Sequence, residues 1–198
     1  MKDCNIMIVG VGGQGTLLAS RIIGGAAAAC GCDVKVSEVH GMSQRGGSVV
    51  TYVRFGERVA SPLIDKGGAD ILLSFELLEA VRYLDYLKPG AGTVIANRQQ
   101  IDPMPVVTGR EAYPQGLAEL LEKSPGMRGV VFDALGAAVS CGDARAVNTV
   151  LIGAMAGLKL TGLSRAAYED AVRACAPKKA LELNLKAFAL GFEKGAAQ

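Results

Sequence analysis

Residues 40–49 read HGMSQRGGSV, and they contain the single histidine of the 198-residue chain. We name residues 40–47 the histidine loop. A guanidinium binds carboxylates and phosphates through two parallel hydrogen bonds, and glycines let the backbone approach another molecule closely. The loop therefore predicts a polar segment that orients a ligand or a neighbouring polypeptide. Its predicted site residues are His40, Ser43, Gln44, Arg45, Gly46 and Gly47.

Two plainer interpretations of the histidine loop stay open. His40 could be a structural histidine that hydrogen-bonds a backbone carbonyl, and Arg45 could form an ion pair on the surface. We do not assign His40 as a proton-transfer base, because the sequence identifies no acid–base partner for it. The two glycines after Arg45 favour a binding role, since a surface ion pair does not require them.

A second glycine-rich segment, residues 10–15, lies between a predicted strand and a predicted helix. It matches G-x-G-x-x-G, in which backbone N–H groups approach a pyrophosphate at a helix N-terminus. Glu38, at the end of the next strand, stands about where such proteins place a ribose-binding acid. The alternative is that the glycines only permit a tight turn and close packing, and the motif does not separate the two. This glycine loop comprises the predicted residues Gly10, Gly12, Gly13, Gln14 and Gly15.

The hydrophobic pattern predicts strands that alternate with helices. Short apolar or alternating runs predict strands at 5–10, 34–39, 48–55, 70–75, 93–98 and 129–134. Helical spacing predicts helices at 14–30, 76–87, 115–123, 144–160, 165–176 and 178–195, whereas 101–109 reads as a loop. Asp143 and Ser164 are predicted N-caps.

This alternation is typical of a single α/β domain, here residues 1–198. We predict a mostly parallel, Rossmann-like sheet with helices on both faces and a helical C-terminal part. Glu38, the histidine loop and the glycine loop would then emerge at the carboxyl edge of the sheet, where α/β proteins bind ligands.

The composition excludes several classes of protein. A formal charge of +2, carried by scattered basic residues, argues against binding to nucleic acid or to an anionic membrane. Five cysteines without CxxC spacing predict free thiols, and neither a zinc site nor an iron–sulfur cluster held by this chain. The sequence shows no leader peptide and no apolar run of ~18 residues, so we expect a cytoplasmic protein.

The two loops together carry a resemblance to a known family. GVGGQGTLLASRIIGGAA, SEVHGMSQRGGSVVTYVRFG, KPGAGTVIAN and NTVLIGAMAG resemble the gamma-type domain of 2-oxoacid:ferredoxin oxidoreductases. Within this family, the chain is similar to the small (beta) subunits of indolepyruvate:ferredoxin oxidoreductases. The similarity spans nearly the whole chain, and the pair of loop motifs is specific where either one alone is weak.

The resemblance implies that two subunits contribute different parts of the activity. The large (alpha) subunit of such enzymes carries thiamine diphosphate with Mg²⁺ and [4Fe–4S] clusters, and this chain is expected to bind none of them alone. Together the subunits would convert an arylpyruvate, coenzyme A and oxidised ferredoxin into an aryl-acetyl-CoA, carbon dioxide and reduced ferredoxin. The histidine loop would face the large subunit and orient substrate, a coenzyme A phosphate or a loop of that partner.

Two other functions stay open at this point. The glycine loop could serve an independent NAD(P)- or FAD-dependent oxidoreductase, or a nucleotide-sensing regulatory module without catalysis. Neither alternative requires the polar histidine loop that follows Glu38.

Overall fold

The computed structural model describes residues 3–39 and 47–198 and contains, in those ranges, one six-stranded sheet with eight α-helices. The strands are β1 (Cys4–Val11), β2 (Asp33–Val39), β3 (Ser48–Gly56), β4 (Ile71–Ser74), β5 (Gly92–Asn97) and β6 (Met127–Phe132). The helices are α1 (Thr16–Ala29), α2 (Leu77–Arg82), α3 (Met104–Val107), α4 (Leu117–Lys123), α5 (Ala134–Cys141), α6 (Val147–Gly157), α7 (Arg165–Cys175) and α8 (Leu181–Ala196).

The sheet has the order β2-β3-β1-β4-β5-β6. Strands β1, β4, β5 and β6 pair in parallel, whereas β3 is antiparallel to both of its neighbours, β1 and β2. Strand β2 consequently runs in the same direction as β1, and β3 alone is reversed among the described strands. The predicted mostly parallel α/β sheet is confirmed.

Helices cover both faces of the sheet, as predicted. Side chains alternate along a strand, so Ile6 and Ile8 of β1 join one core while Met7 and Val9 join the other. The first core packs against α1 and α5–α8, and we call this the five-helix face. The second packs mainly against α2 and α4, with Val106 of the short α3 at its margin, and we call it the two-helix face.

The helices α6 and α8 of the five-helix face approach until their backbones touch. A methyl group at Gly191 of α8 would lie 2.0 Å from the carbonyl oxygen of Val150, and one at Gly153 of α6 would lie 2.2 Å from that of Phe188. Gly157 and Gly195 repeat the pattern one turn later. Glycine is required along this seam because the facing main chain fills the place of a side chain. In the described ranges, none of the helices has the length and apolar character needed to span a membrane.

Two helices, α3 and α5, are not predicted by the sequence pattern, and α5 is the longer of them. The strand predicted at 129–134 ends at Phe132, and α5 begins immediately afterwards. The Asp133 carboxylate caps this helix by accepting from the Gly136 N–H at 2.7 Å, and the Asn97 side chain accepts from the Ala134 N–H at 3.0 Å. A residue distant in sequence thus helps to form the N-terminus of α5.

Several predicted boundaries are corrected by tighter turns. The helix predicted at 76–87 ends at Arg82 and is followed by a 3₁₀ turn at Leu84–Tyr86. The helices predicted from 144 and 178 each begin with a 3₁₀ turn before the α-helix, and the predicted loop at 101–109 contains α3. The N-caps Asp143 and Ser164 are confirmed, since each side chain accepts a backbone N–H of the following turn.

Candidate functional site

The glycine loop and the end of the histidine loop meet at the carboxyl edge of the sheet. Strand β1 ends at Val11 opposite Ser48, the first residue of β3. One residue further, the Gly12 N–H donates to the Gly47 carbonyl at 3.0 Å. The two glycine-rich segments are therefore in direct contact. The predicted residues His40, Ser43, Gln44, Arg45 and Gly46 lie outside the described residues.

Gln14 of the glycine loop points into the protein. Its Oε1 accepts from the Val11 N–H at 2.7 Å, and its Nε2 donates to the Phe75 carbonyl at 3.1 Å and to Gln99 Oε1 at 3.3 Å. A Cβ at Gly10 would lie 2.8 Å from Gln14 Oε1 and 3.0 Å from Phe75 Cβ. Gly10 and Gln14 thus serve close packing, and their contacts anchor the loop to the end of β4.

The remaining glycines open onto a cavity in front of α1. Gly13 and Gly15 adopt φ values of 96° and 84°, which favour glycine, and a Cβ at Gly13 would meet no heavy atom within 4 Å. No described side chain caps the N-terminus of α1. The cavity has a volume of about 520 Å³ and is lined by Gly12, Gly13, Thr16, Arg21, Glu38 and Val39, among others. Free N–H groups at a helix N-terminus attract anions, so this space can hold a negatively charged group.

Glu38 lies on the same side of the sheet as α1, but away from the end of β1. Its Oε1 accepts from the Ser20 hydroxyl at 3.3 Å. In a dinucleotide-binding fold the strand that carries the ribose-binding acid is the neighbour of β1, whereas here β3 separates β2 from β1. Neighbouring strands are about 4.8 Å apart, so the intervening strand moves Glu38 to roughly 10 Å from the line of β1. This displacement weakens the dinucleotide interpretation.

A polar cluster that no sequence motif predicts lies at the C-terminal end of the histidine loop. The Ser48 hydroxyl donates to Glu79 Oε2 of α2 at 2.5 Å, and the Tyr83 hydroxyl lies 3.0 Å from the Ser48 oxygen. Arg82 Nε is 3.5 Å from Glu79 Oε1. Burial raises the pKa of the Glu79 carboxyl, while the Ser48 hydrogen bond and the Arg82 charge act in the opposite direction. These four residues place charge beside the histidine loop.

A buried carboxyl group fixes the start of α2. Glu76 is only 1% exposed, and its Oε2 accepts from the Glu79 N–H at 2.8 Å as the N-cap of the helix. Its Oε1 accepts from the Ile101 N–H at 3.1 Å and from the Tyr113 hydroxyl. Burial and the Glu76 carboxyl raise the pKa of Tyr113. Glu76 therefore joins α2 to the chain that follows β5.

The glycine loop is also held from the five-helix face. Asn148, at the start of α6, donates to the Gly15 carbonyl at 3.4 Å and accepts from the Thr149 N–H at 2.7 Å. The Thr149 hydroxyl donates to Asn184 Oδ1 of α8 at 2.6 Å. One signal could have found Asn148, namely an asparagine in the otherwise apolar run NTVLIGAMAG. No comparable signal marks Glu76 or Glu79, because acidic residues are common at the start of helices.

The chain is similar in sequence to known proteins over nearly its whole length. A family model described as pyruvate ferredoxin/flavodoxin oxidoreductase matches residues 5–194. The "Indolepyruvate oxidoreductase subunit IorB" of Thermococcus kodakarensis is 44% identical over 193 residues, which cover 96% of this chain and 95% of the relative. The protein of the same name from Archaeoglobus fulgidus is 39% identical, with 96% and 94% covered.

A solved structure has the same fold over its whole length. The gamma subunit of keto/oxoacid ferredoxin oxidoreductase from Geobacter sulfurreducens superimposes with a TM-score of 0.73 at 28% identity, covering 98% of this chain and 99% of that one. None of these similarities favours an independent NAD(P)- or FAD-dependent enzyme. The resemblance inferred from the two loop motifs is confirmed, and the chain belongs to the pyruvate ferredoxin/flavodoxin oxidoreductase family.

Proposed function

We propose that this chain is the small subunit of an indolepyruvate-type 2-oxoacid:ferredoxin oxidoreductase and that it acts only with a large (alpha) subunit. The observation that carries the proposal is the 44% identity, nearly end to end, to a subunit named for indolepyruvate oxidoreductase. Because 96% of this chain and 95% of the relative are matched, the similarity is not confined to one shared domain of a larger protein.

The proposed reaction is the oxidative decarboxylation of an arylpyruvate. The bond between the carboxylate and the carbonyl carbon breaks and releases carbon dioxide. A thioester bond forms between the former carbonyl carbon and the sulfur of coenzyme A, whose thiol proton is released, and the two electrons of the oxidation pass one at a time to oxidised ferredoxin. Thiamine diphosphate with Mg²⁺ and [4Fe–4S] clusters, all held by the large subunit, would supply the carbon–carbon cleavage and the electron path.

The proposed role of this chain is to position groups at the shared site. The hydrogen bond from the Gly12 N–H to the Gly47 carbonyl, which joins the glycine loop to the C-terminal residue of the histidine loop, supports this role. The cavity in front of α1 offers backbone N–H groups to an anion such as a coenzyme A phosphate or the substrate carboxylate. Arg45 would add a charge-assisted hydrogen bond to the same ligand or to the large subunit.

The first test is activity with and without the large subunit. We expect the purified chain to reduce neither ferredoxin nor a viologen with an arylpyruvate and coenzyme A, and the assembled complex to reduce both. Hydrogen exchange at residues 40–48 should slow when the large subunit is added. Arylpyruvate-dependent reduction by the single chain would contradict the proposal.

The second test is Arg45→Ala in the assembled complex. A hydrogen bond to a charged group contributes about 1.5–3 kcal/mol, so its loss at the reacting site would slow turnover roughly 10- to 150-fold. Arg58→Ala is the matched control, because Arg58 is an exposed loop arginine that follows β3 at the opposite edge of the sheet. Equal turnover in the two variants would exclude a role for Arg45 in the reaction. Loss of complex with normal specific activity would make Arg45 an assembly residue.

A further inference from the structure

The histidine loop returns to the sheet at Ser48, and this point is held from two sides. On the side of β1, the Gly47 carbonyl accepts from the Gly12 N–H at 3.0 Å. On the two-helix face, the Ser48 hydroxyl uses its proton for Glu79, so the Tyr83 hydroxyl must donate to the Ser48 oxygen. Three hydrogen bonds thus fix two consecutive residues at the end of the loop.

Glu79, which accepts the Ser48 hydrogen bond, is an unusual residue type for a buried position. Glu79 is 5% exposed, and burying a carboxylate is unfavourable unless hydrogen bonds or opposite charges compensate it. The compensation comes from Arg82 at 3.5 Å and from Ser48 itself. The carboxylate is therefore explained best by its bond to Ser48.

The helix that carries Glu79 is itself held in place. Its N-cap Glu76 is bonded to Ile101 and Tyr113, and the Leu78 N–H donates to the Tyr113 hydroxyl at 3.2 Å. A helix of six residues has little stability of its own. These long-range contacts make α2 a fixed support, so that Glu79 presents its carboxylate at a defined place.

We propose that Glu79 is a positioning residue for the histidine loop and that it acts by holding Ser48. The proposal rests on the proposed function, because the loop matters for the reaction only if it faces the shared site. Glu79 itself need not touch substrate. Its effect is to restrict the backbone on the C-terminal side of Arg45, and a misplacement of about 1 Å at a reacting site costs about 100-fold in rate.

The experiment compares Ser48→Ala, Ser48→Thr and Glu79→Gln in the assembled complex. Ser48→Ala removes only an exposed hydroxyl, so the fold is retained, whereas Ser48→Thr keeps the donor. Glu79→Gln keeps an acceptor oxygen without the charge. Ser124→Ala is the control, since the Ser124 hydroxyl likewise forms a solvent-exposed hydrogen bond, to the Leu120 carbonyl near the amino edge of the sheet.

Hydrogen exchange at residues 40–47 and kcat/KM for the arylpyruvate are the two measurements. We expect Ser48→Ala to speed exchange and to lower kcat/KM, each by about 10-fold. This factor is the lower limit for the loss of a hydrogen bond to a charged group, and we take the lower limit because Ser48 is exposed. Glu79→Gln should change both in the same direction but less, and Ser48→Thr and Ser124→Ala should match the wild type. Unchanged exchange in Ser48→Ala would overturn the proposal, whatever the activity. Faster exchange with normal kcat/KM would uphold the anchoring of the loop and instead contradict its proposed role in the reaction.

Discussion

The two faces of the sheet stabilise the molecule by different means. On the five-helix face, α6 and α8 pack main chain against main chain, and the buried polar groups Asn148, Thr149 and Asn184 are bonded to one another. On the two-helix face, the short helix α2 carries two buried carboxyl groups, Glu76 and Glu79. The five-helix face relies on close main-chain packing and on buried polar groups that are uncharged amides and hydroxyls. The two-helix face instead buries ionisable carboxyl groups, one of which bonds Ser48 at the end of the histidine loop.

The difference suggests a separation of tasks between the faces. A substitution in the glycine seam between α6 and α8 should lower the free energy of unfolding and leave the loops in place. A substitution in the polar cluster of the two-helix face should affect stability less and the loops more. Three predictions test this separation.

The largest effect is expected for Gly191→Ala. The added methyl group would lie 2.0 Å from the Val150 carbonyl oxygen, so α6 and α8 must move apart. Overpacking of this kind lowers the free energy of unfolding by about 3 kcal/mol. Urea unfolding measures the loss. Gly25→Ala is the control, because its Cβ would meet only Ala171 Cβ at 3.8 Å and Cys175 Sγ at 4.0 Å, and alanine in a helix interior gains up to about 1 kcal/mol. Similar losses in the two variants would refute the backbone contact.

A smaller loss of stability is expected for Glu76→Gln. The amide group would turn N–H donors toward at least one of the partners that now donate to Glu76, namely the backbones of Glu79 and Ile101 and the Tyr113 hydroxyl. One buried donor left without an acceptor costs about 1–3 kcal/mol. Urea unfolding of Glu76→Gln beside Glu57→Gln, an exposed control, measures the difference. An unchanged midpoint in Glu76→Gln would show that α2 does not depend on this carboxyl group.

The smallest effect is the pH dependence contributed by Glu79. Its folded-state pKa is raised above the ordinary value of 4.5, mainly by burial. At pH values between 4.5 and the raised pKa, the Glu79 carboxyl keeps its proton in the folded chain but has released it in the unfolded chain. The contribution of Glu79 to the free energy of unfolding therefore falls as the pH rises through this range. Glu79→Gln removes the titration. The stability of Glu79→Gln relative to wild type should therefore increase as the pH rises from about 4.5, and a decrease would show that the carboxylate is stabilised by its partners.

The sequence predicted each of the six described strands because their signal is local. Strands β1 and β4 are continuous apolar runs, and their burial on both faces follows directly from that pattern. Helix α5 gave no such local signal. Its eight residues are rich in alanine and glycine, and its N-terminus depends on a hydrogen bond to Asn97, which lies on strand β5. The position of β3 between β1 and β2 could not be predicted from the sequence either, since strand order is decided by contacts across the whole domain.

The candidate site was likewise predicted only in part from the sequence. The glycine loop was recognised from its spacing, yet the inward orientation of Gln14 depends on Phe75 and Gln99, which are far away in sequence. Glu79 and Ser48 are 31 residues apart, and nothing in either neighbourhood indicates the other. A motif can show that a loop is polar, but the residues that hold it are determined by the tertiary fold.

The edge position of β2 affects how easily this strand unfolds locally. Strand β2 has β3 as its sole neighbour in the described sheet, whereas β3 is paired on both sides. Edge elements with fewer partners have the lowest free energy of local unfolding, and their amides exchange first. Transient release of β2 would free the N-terminal end of the histidine loop at Val39 while Ser48 stays in the sheet. Hydrogen exchange should therefore be faster in β2 (Asp33–Val39) than in β3 (Ser48–Gly56).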